Sequence, residues 1–233
     1  MLASGATIIS GVGASILAKE NYAQTNSTMN DSLKLTPPEK GAVQVAFLIS
    51  QDFTVIDFIG PWEVFQDVSI EGRDDLGFEL FTVAETTEPL RGSGGLKVVP
   101  NYSFADAPLP KVVVIGAQRG RSPVMFEWLK KVSETADVIM SVCTGAFLLA
   151  QSGLIDSKTA TTHHNFYDSF EKKFPNVELK RDVRFVEEKK FSSAGGLTSG
   201  IDLALRVTER YFGRQTAEKT AFYMEYESKG WIV

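Results

Sequence analysis

The chain has 233 residues, with 24 lysines and arginines against 29 aspartates and glutamates, a formal net charge of −5 and a single cysteine, Cys143. That length buries one substantial core, as one domain or one domain plus a tail. Lacking a basic excess or a Lys/Arg cluster, the chain is not expected to take nucleic acid as a direct partner. One thiol excludes an intramolecular disulfide and a multi-thiolate zinc site, and His163 and His164 are too few and too close for the usual ligand spacing, so no metal or other cofactor is expected.

Residues 1–18, MLASGATIISGVGASILA, are uncharged, small and apolar, like the core of a secretory signal with Ile16 and Ala18 in cleavage positions. No Lys or Arg precedes Lys19. Two readings stand: a signal whose basic leader lies upstream, or a disordered N-terminus. Export to the periplasm is placed slightly ahead of a cytoplasmic location. The stretch is too rich in Gly and Ser for a stable membrane span. The polar, Pro- and Asn-containing residues to about Gly41 read as a linker, giving an expected N-terminal segment 1–41 and a folded domain 42–233.

From Ala42 onward, apolar strand-like runs alternate with amphipathic helical ones. AVQVAFLIS reads as a buried strand, and DFIGPWEVFQDV as a turn into a helix with Pro61 in its first turn. FELFTVAE and LKVVPN are strand-like, joined by a loop in which GSGG is a plain turn, since it lacks the strand–loop–helix setting of a phosphate cradle. KVVVIGA is a continuous β-branched run of the kind covered on both faces. SPVMFEWLKKVSETA is a helix, DVIMSV a strand, and TGAFLLAQSG a helix stopped at Gly153. SKTATTHH is a further strand candidate, and VRFVEEKKFSSAG reads as a hairpin. In LTSGIDLALRVTERYFG, Ser199 is the expected N-cap with Asp202 at N3. Ile201, Leu205, Thr208 and Phe212 share one face, and Gly213 closes the helix. Strands alternating with helices predict an α/β domain with a mostly parallel sheet.

Ligands bind open α/β sheets outside the carboxyl ends of the strands. Cys143 falls at such an end, immediately before a helix, in the arrangement of a nucleophile elbow. Gly145 lets the backbone pack closely behind it. The Thr144 and Gly145 amides are free first-turn donors that would favour a thiolate or stabilise an oxyanion. A lone cysteine is most often core packing; its position at a strand-to-helix turn favours the reactive reading. Asp57, amid Ile56, Phe58 and Ile59, is either a capping acid or a buried carboxyl. If protonated it would donate to a thiolate, and if ionised it would oppose one. Gly116 and Ala117 in IGAQRG could bring backbone amides to a substrate or form a plain loop. His163 is structural or a proton shuttle, and Glu63 reads as a helix-surface residue.

SVCTGAFLLAQSGLIDSKTATTHH, DFIGPWEVF and SSAGGLTSGIDLAL together resemble the ThiJ/PfpI superfamily, which has the class I glutamine amidotransferase-like fold. Within it the sequence is most similar to isonitrile hydratases and to the amidase-like domain of AraC-type regulators, from about Val43 to the C-terminus. The resemblance implies a flavodoxin-like α/β/α sandwich, a homodimer, Cys143 as nucleophile, Asp57 as acid/base partner and Thr144 as the neighbour completing the site. Thr144 stands where the superfamily's proteases place His, and Ala117 replaces a glycine of the usual Gly-Gly loop. The regulators carry a C-terminal DNA-binding region, and none is expected after MEYESKGWIV. The leading expectation is a hydratase or hydrolase acting on a small electrophile, with an isonitrile as substrate. The alternatives are glyoxalase- or deglycase-like action on aldehydes, with His163 as shuttle, and a ligand- or redox-sensing module without turnover.

Overall fold

The computed structural model describes residues 31–73 and 76–233. The signal-like residues 1–18 and most of the polar stretch after them lie outside the described residues. In chain order the elements are β1 (Val43–Leu48), α1 (Val55–Gln66), β2 (Phe78–Ala84), β3 (Leu90–Arg91), β4 (Lys97–Val98), β5 (Tyr102–Ser103) and β6 (Val112–Ile115). They continue with α2 (Pro123–Thr135), β7 (Val138–Val142), α3 (Gly145–Gln151), β8 (Thr159–Ala160), α4 (Tyr167–Lys173), β9 (Glu178–Leu179), β10 (Phe185–Glu188), β11 (Phe191–Ala194), α5 (Ser199–Phe212) and α6 (Arg214–Tyr223).

Seven strands form one sheet in the order β10-β11-β7-β6-β1-β2-β5. All neighbours run parallel except the β10–β11 hairpin. The continuous apolar runs are explained by strand alternation with a helix layer on each face. Val45 and Phe47 of β1 and Val112 and Val114 of β6 enter the core beneath α1, α5 and α6. Their neighbours Ala46, Leu48, Val113 and Ile115 enter the opposite core, with Leu129 of α2, Leu149 of α3 and Phe170 of α4. Each of the Val, Leu, Ile and Phe side chains among these contributes about 1.5–3 kcal/mol on burial. The result is the expected flavodoxin-like three-layer sandwich.

Five local expectations change. Pro61 lies in the interior of α1, not its first turn, because the helix begins at Val55 after an extended Thr54 (φ −78°, ψ 116°). An interior proline removes the amide that would bond the carbonyl four residues back, here Asp57; the burial of Phe58, Val64 and Phe65 offsets that loss. Ser199 is the first residue of α5 rather than its cap. Thr198 takes the cap position, but its side chain does not cap the helix amides, and the completely buried Asp202 pairs with Arg184 while accepting from the Tyr226 and Ser228 hydroxyls at 3.2 Å. The helix is also buried on nearly every side, not on one stripe: Arg206, Glu209 and Arg210 are all buried, whereas Ile201 and Phe212 are only half-buried. Finally, the end of the expected linker is docked. The Leu35 amide donates to the Arg210 carbonyl and Arg210 Nε to the Leu33 carbonyl, both at 2.8 Å. The strand expected in SKTATTHH is confined to Thr159–Ala160, paired with β9 outside the main sheet. Among the described residues no helix is long and apolar enough to cross a membrane.

Candidate active site

β7 ends at Val142 and α3 begins at Gly145, so Cys143 occupies the turn between them. Its φ of +58° lies in the left-handed region, a conformation that costs a side-chain-bearing residue about 1–2 kcal/mol. Hydrogen bonds to distant parts of the chain hold it there. The Cys143 amide donates to the Gly195 and Ala194 carbonyls at 2.6 and 3.2 Å, and Thr162 Oγ1 donates to the Cys143 carbonyl at 2.9 Å. Behind the turn, a β carbon on Gly145 would collide with the Ile115 carbonyl oxygen. Only glycine lets α3 start this close to the end of β6.

Asp57 reaches the same place from the first turn of α1 and is completely buried. Its Oδ2 accepts from the Ala117 amide at 3.0 Å, while Oδ1 has no hydrogen-bond partner among the described residues. Gly116 makes room for it, since a β carbon there would lie 2.9 Å from Asp57 Cβ. The carboxyl and the Cys143 thiol are close enough to perturb one another.

Burial raises the Asp57 carboxyl to about 6, against the pull of the Ala117 amide and the thiol. Burial pushes the Cys143 thiol up to about 12, and the neighbouring Asp57 charge adds to the rise. The backbone amides of Thr144 and Leu197 donate toward the sulfur and lower it, but do not prevail. The expectation that the helix start would favour a thiolate is therefore corrected: desolvation and a like charge outweigh it. At neutral pH the pair is therefore a protonated thiol beside a largely ionised carboxylate.

The structure thus brings Cys143, Asp57, Thr144, Gly145, Gly116 and Ala117 together at the carboxyl edge of the sheet. It reassigns two of them. The Ala117 amide faces Asp57 rather than open space, and Gly116 sits directly against Asp57. Leu197, which sequence reasoning missed, supplies the second amide at the sulfur and sits at φ +52°. The one signal for it was the Gly195–Gly196 pair before it, since a backbone donor leaves no side-chain trace. His163 lies farther round. Its Nδ1 accepts from the Asn165 amide at 3.2 Å, its ring stacks on His164, and it fills the space beside Gly196 where a β carbon would collide. Burial and the neighbouring His164 lower its pKa. No hydrogen bond joins His163 to Cys143 among the described residues. Half-buried Glu63 accepts from the Gln66 side chain at 3.1 Å.

Comparison with known proteins matches the DJ-1/PfpI family over residues 43–210. The chain is 27% identical to isonitrile hydratase of Pseudomonas putida over 191 residues, covering 79% of each. It is 29% identical to the HTH-type transcriptional regulator CdhR of Pseudomonas aeruginosa over 177 residues, which are 73% of this chain and 51% of the regulator. It therefore spans about half the length of that relative. A ThiJ/PfpI family protein from Pseudomonas syringae superposes with a TM-score of 0.72 at 23% identity, covering 86% of this chain and 81% of that one. This likeness bears on the fold.

Proposed function

This chain belongs to the DJ-1/PfpI family, and we propose that it is a cysteine-dependent hydratase that adds water to small isonitriles and releases N-substituted formamides. The observation that carries the reading is the buried Asp57 carboxyl, with one oxygen unpartnered, set against the chain's sole thiol. The likeness to isonitrile hydratase supplies the substrate class.

The chemistry follows from the protonation states. The Asp57 carboxylate takes the thiol proton as Cys143 Sγ attacks the terminal isocyano carbon, then delivers that proton to the same carbon. A carbon–sulfur and a carbon–hydrogen bond form, the carbon–nitrogen triple bond becomes double, and a thioimidate results. Water then gives a proton to Asp57 while its oxygen attacks the thioimidate carbon. Asp57 passes that proton to the nitrogen, the carbon–sulfur bond breaks as the hydroxyl oxygen becomes the carbonyl, and the hydroxyl proton returns by way of Asp57 to the sulfur, leaving the formamide, a thiol and an ionised Asp57 again. The Thr144 and Leu197 amides stabilise negative charge on sulfur when it departs. A homodimer, as the resemblance implies, is part of this proposal.

The test is formamide production from an alkyl isonitrile by the wild type, Asp57→Asn and Cys143→Ser. Turnover in the wild type, a loss of about 10²-fold or more in Asp57→Asn and none in Cys143→Ser are expected. Full turnover in Cys143→Ser would refute the reading. The regulator-like match over 73% of the chain supports a second reading, a ligand-sensing domain. That domain would bind isonitrile stoichiometrically and return it unchanged. The aldehyde reading drew on His163 as shuttle, and the contacts of His163 are with Asn165, His164 and Gly196 instead.

A further inference from the structure

A concavity of about 290 Å³ opens at the carboxyl ends of β1 and β2, lined by Ser50, Gln51, Glu85, Thr86, Arg121 and Ser122 among others. None of Cys143, Asp57, Thr144 or Leu197 borders it. Its distinctive group is the half-buried Arg121 guanidinium, which has no acidic partner among the described residues. The nearby Arg119 differs, because Asp52 neutralises it at 2.9 Å.

Arg121 is held by its own loop. Its Nη1 donates to the Gln118 and Gly120 carbonyls at 3.1 and 2.5 Å. That loop is pinned in turn: the Gly120 amide donates to Ser50 Oγ at 2.8 Å, and Gln118 Nε2 donates to the Leu48 carbonyl at 2.9 Å. Nε and Nη2 keep no partner among the described residues, and they form the edge of a guanidinium that matches a carboxylate with two parallel hydrogen bonds. A fixed, partly desolvated cation with that edge open is preorganised for an anion. Burial lowers the Arg121 pKa, the sign of a charge set in surroundings that do not compensate it.

We propose that this groove is a ligand site separate from the thiol site, taking a small monocarboxylate whose two oxygens pair with Nε and Nη2 of Arg121. The exposed Glu85 on the same rim disfavours dianions such as phosphate. Ser50, Gln51, Thr86 and Ser122 offer polar contacts to the remainder of a ligand that fits this volume.

The experiment is amide NMR of the full chain titrated with acetate, with chloride and inorganic phosphate at matched ionic strength as controls. Saturable shifts confined to residues 50–51, 85–86 and 118–122 are expected with acetate, at least tenfold weaker in Arg121→Gln. Amide shifts elsewhere in that variant should match the wild type. Partial recovery is expected in Arg121→Lys, which restores charge without the two-pronged edge. Equal response to chloride, no saturation, or unchanged acetate affinity in Arg121→Gln would overturn the proposal. Tighter binding of phosphate than acetate would overturn the carboxylate assignment.

Discussion

Replacing Asp57 by asparagine should make the protein relatively more stable as pH rises. The carboxyl is completely buried, one oxygen is unpartnered, and its pKa climbs from an ordinary 3.8 to about 6. An acid whose folded-state pKa lies above its unfolded value favours the folded state fully at low pH, and that contribution is lost as pH passes through the folded value. That rise corresponds to about 3 kcal/mol at ~1.36 kcal/mol per pH unit. The wild type forfeits this between pH ~4 and pH ~7. Asparagine keeps an acceptor for the Ala117 amide but buries an amide group, a constant cost of about 1–3 kcal/mol at every pH. The stability difference between the Asp57→Asn variant and the wild type should therefore move by about 3 kcal/mol in favour of the variant from pH ~3.5 to pH ~8, whatever its offset. Urea denaturation at a series of pH values measures it. A difference that stays flat with pH, or moves toward the wild type, would refute the buried, desolvated carboxyl.

Three further outcomes follow from the same geometry. With its thiol pushed up to about 12, Cys143 should react with iodoacetamide at pH 8 about a thousandfold more slowly than an ordinary cysteine, the rate climbing about tenfold per pH unit without levelling off below pH ~11; an inflection below pH 8 in the alkylation profile would contradict this. For isonitrile hydration, kcat/KM should climb through pH about 6 as Asp57 ionises and level off above it; a profile still rising tenfold per unit between pH 7 and 9 would mean that thiolate formation controls the rate instead. Gly145→Ala should drive α3 away from Ile115, costing about 1–3 kcal/mol as overpacking does, and should depress turnover more than binding; thermal melting and steady-state kinetics report both.

Much of this architecture was readable because strands covered on both faces leave an unmistakable mark. Val112 to Ile115 are all buried, and so are Val138 to Val142, so no polar alternation interrupts them. Gly153 and Gly213 stop helices where the pattern placed them, each at positive φ. The position of Cys143 between a strand and a helix, and of Asp57 at the start of the helix that follows β1, was legible. What stayed hidden depended on partners distant in sequence. Asp202 looked like a capping acid but serves Arg184, Tyr226 and Ser228. The one-sided pattern of α5 missed that residues 33–35, the β10–β11 hairpin and α6 cover its other sides. The sign of the Asp57–Cys143 interaction needed burial, which no spacing reveals. The Leu197 donor is a backbone group, and any side chain at that position would conceal it equally well.

The most direct measurement of the central claim is mass spectrometry of the protein quenched during turnover of an isonitrile. The account predicts a mass gain of one intact isonitrile on the peptide bearing Cys143, absent in Cys143→Ser and discharged as formamide in the wild type. Formamide released by Cys143→Ser at the wild-type rate, or an adduct on any other residue, would contradict it.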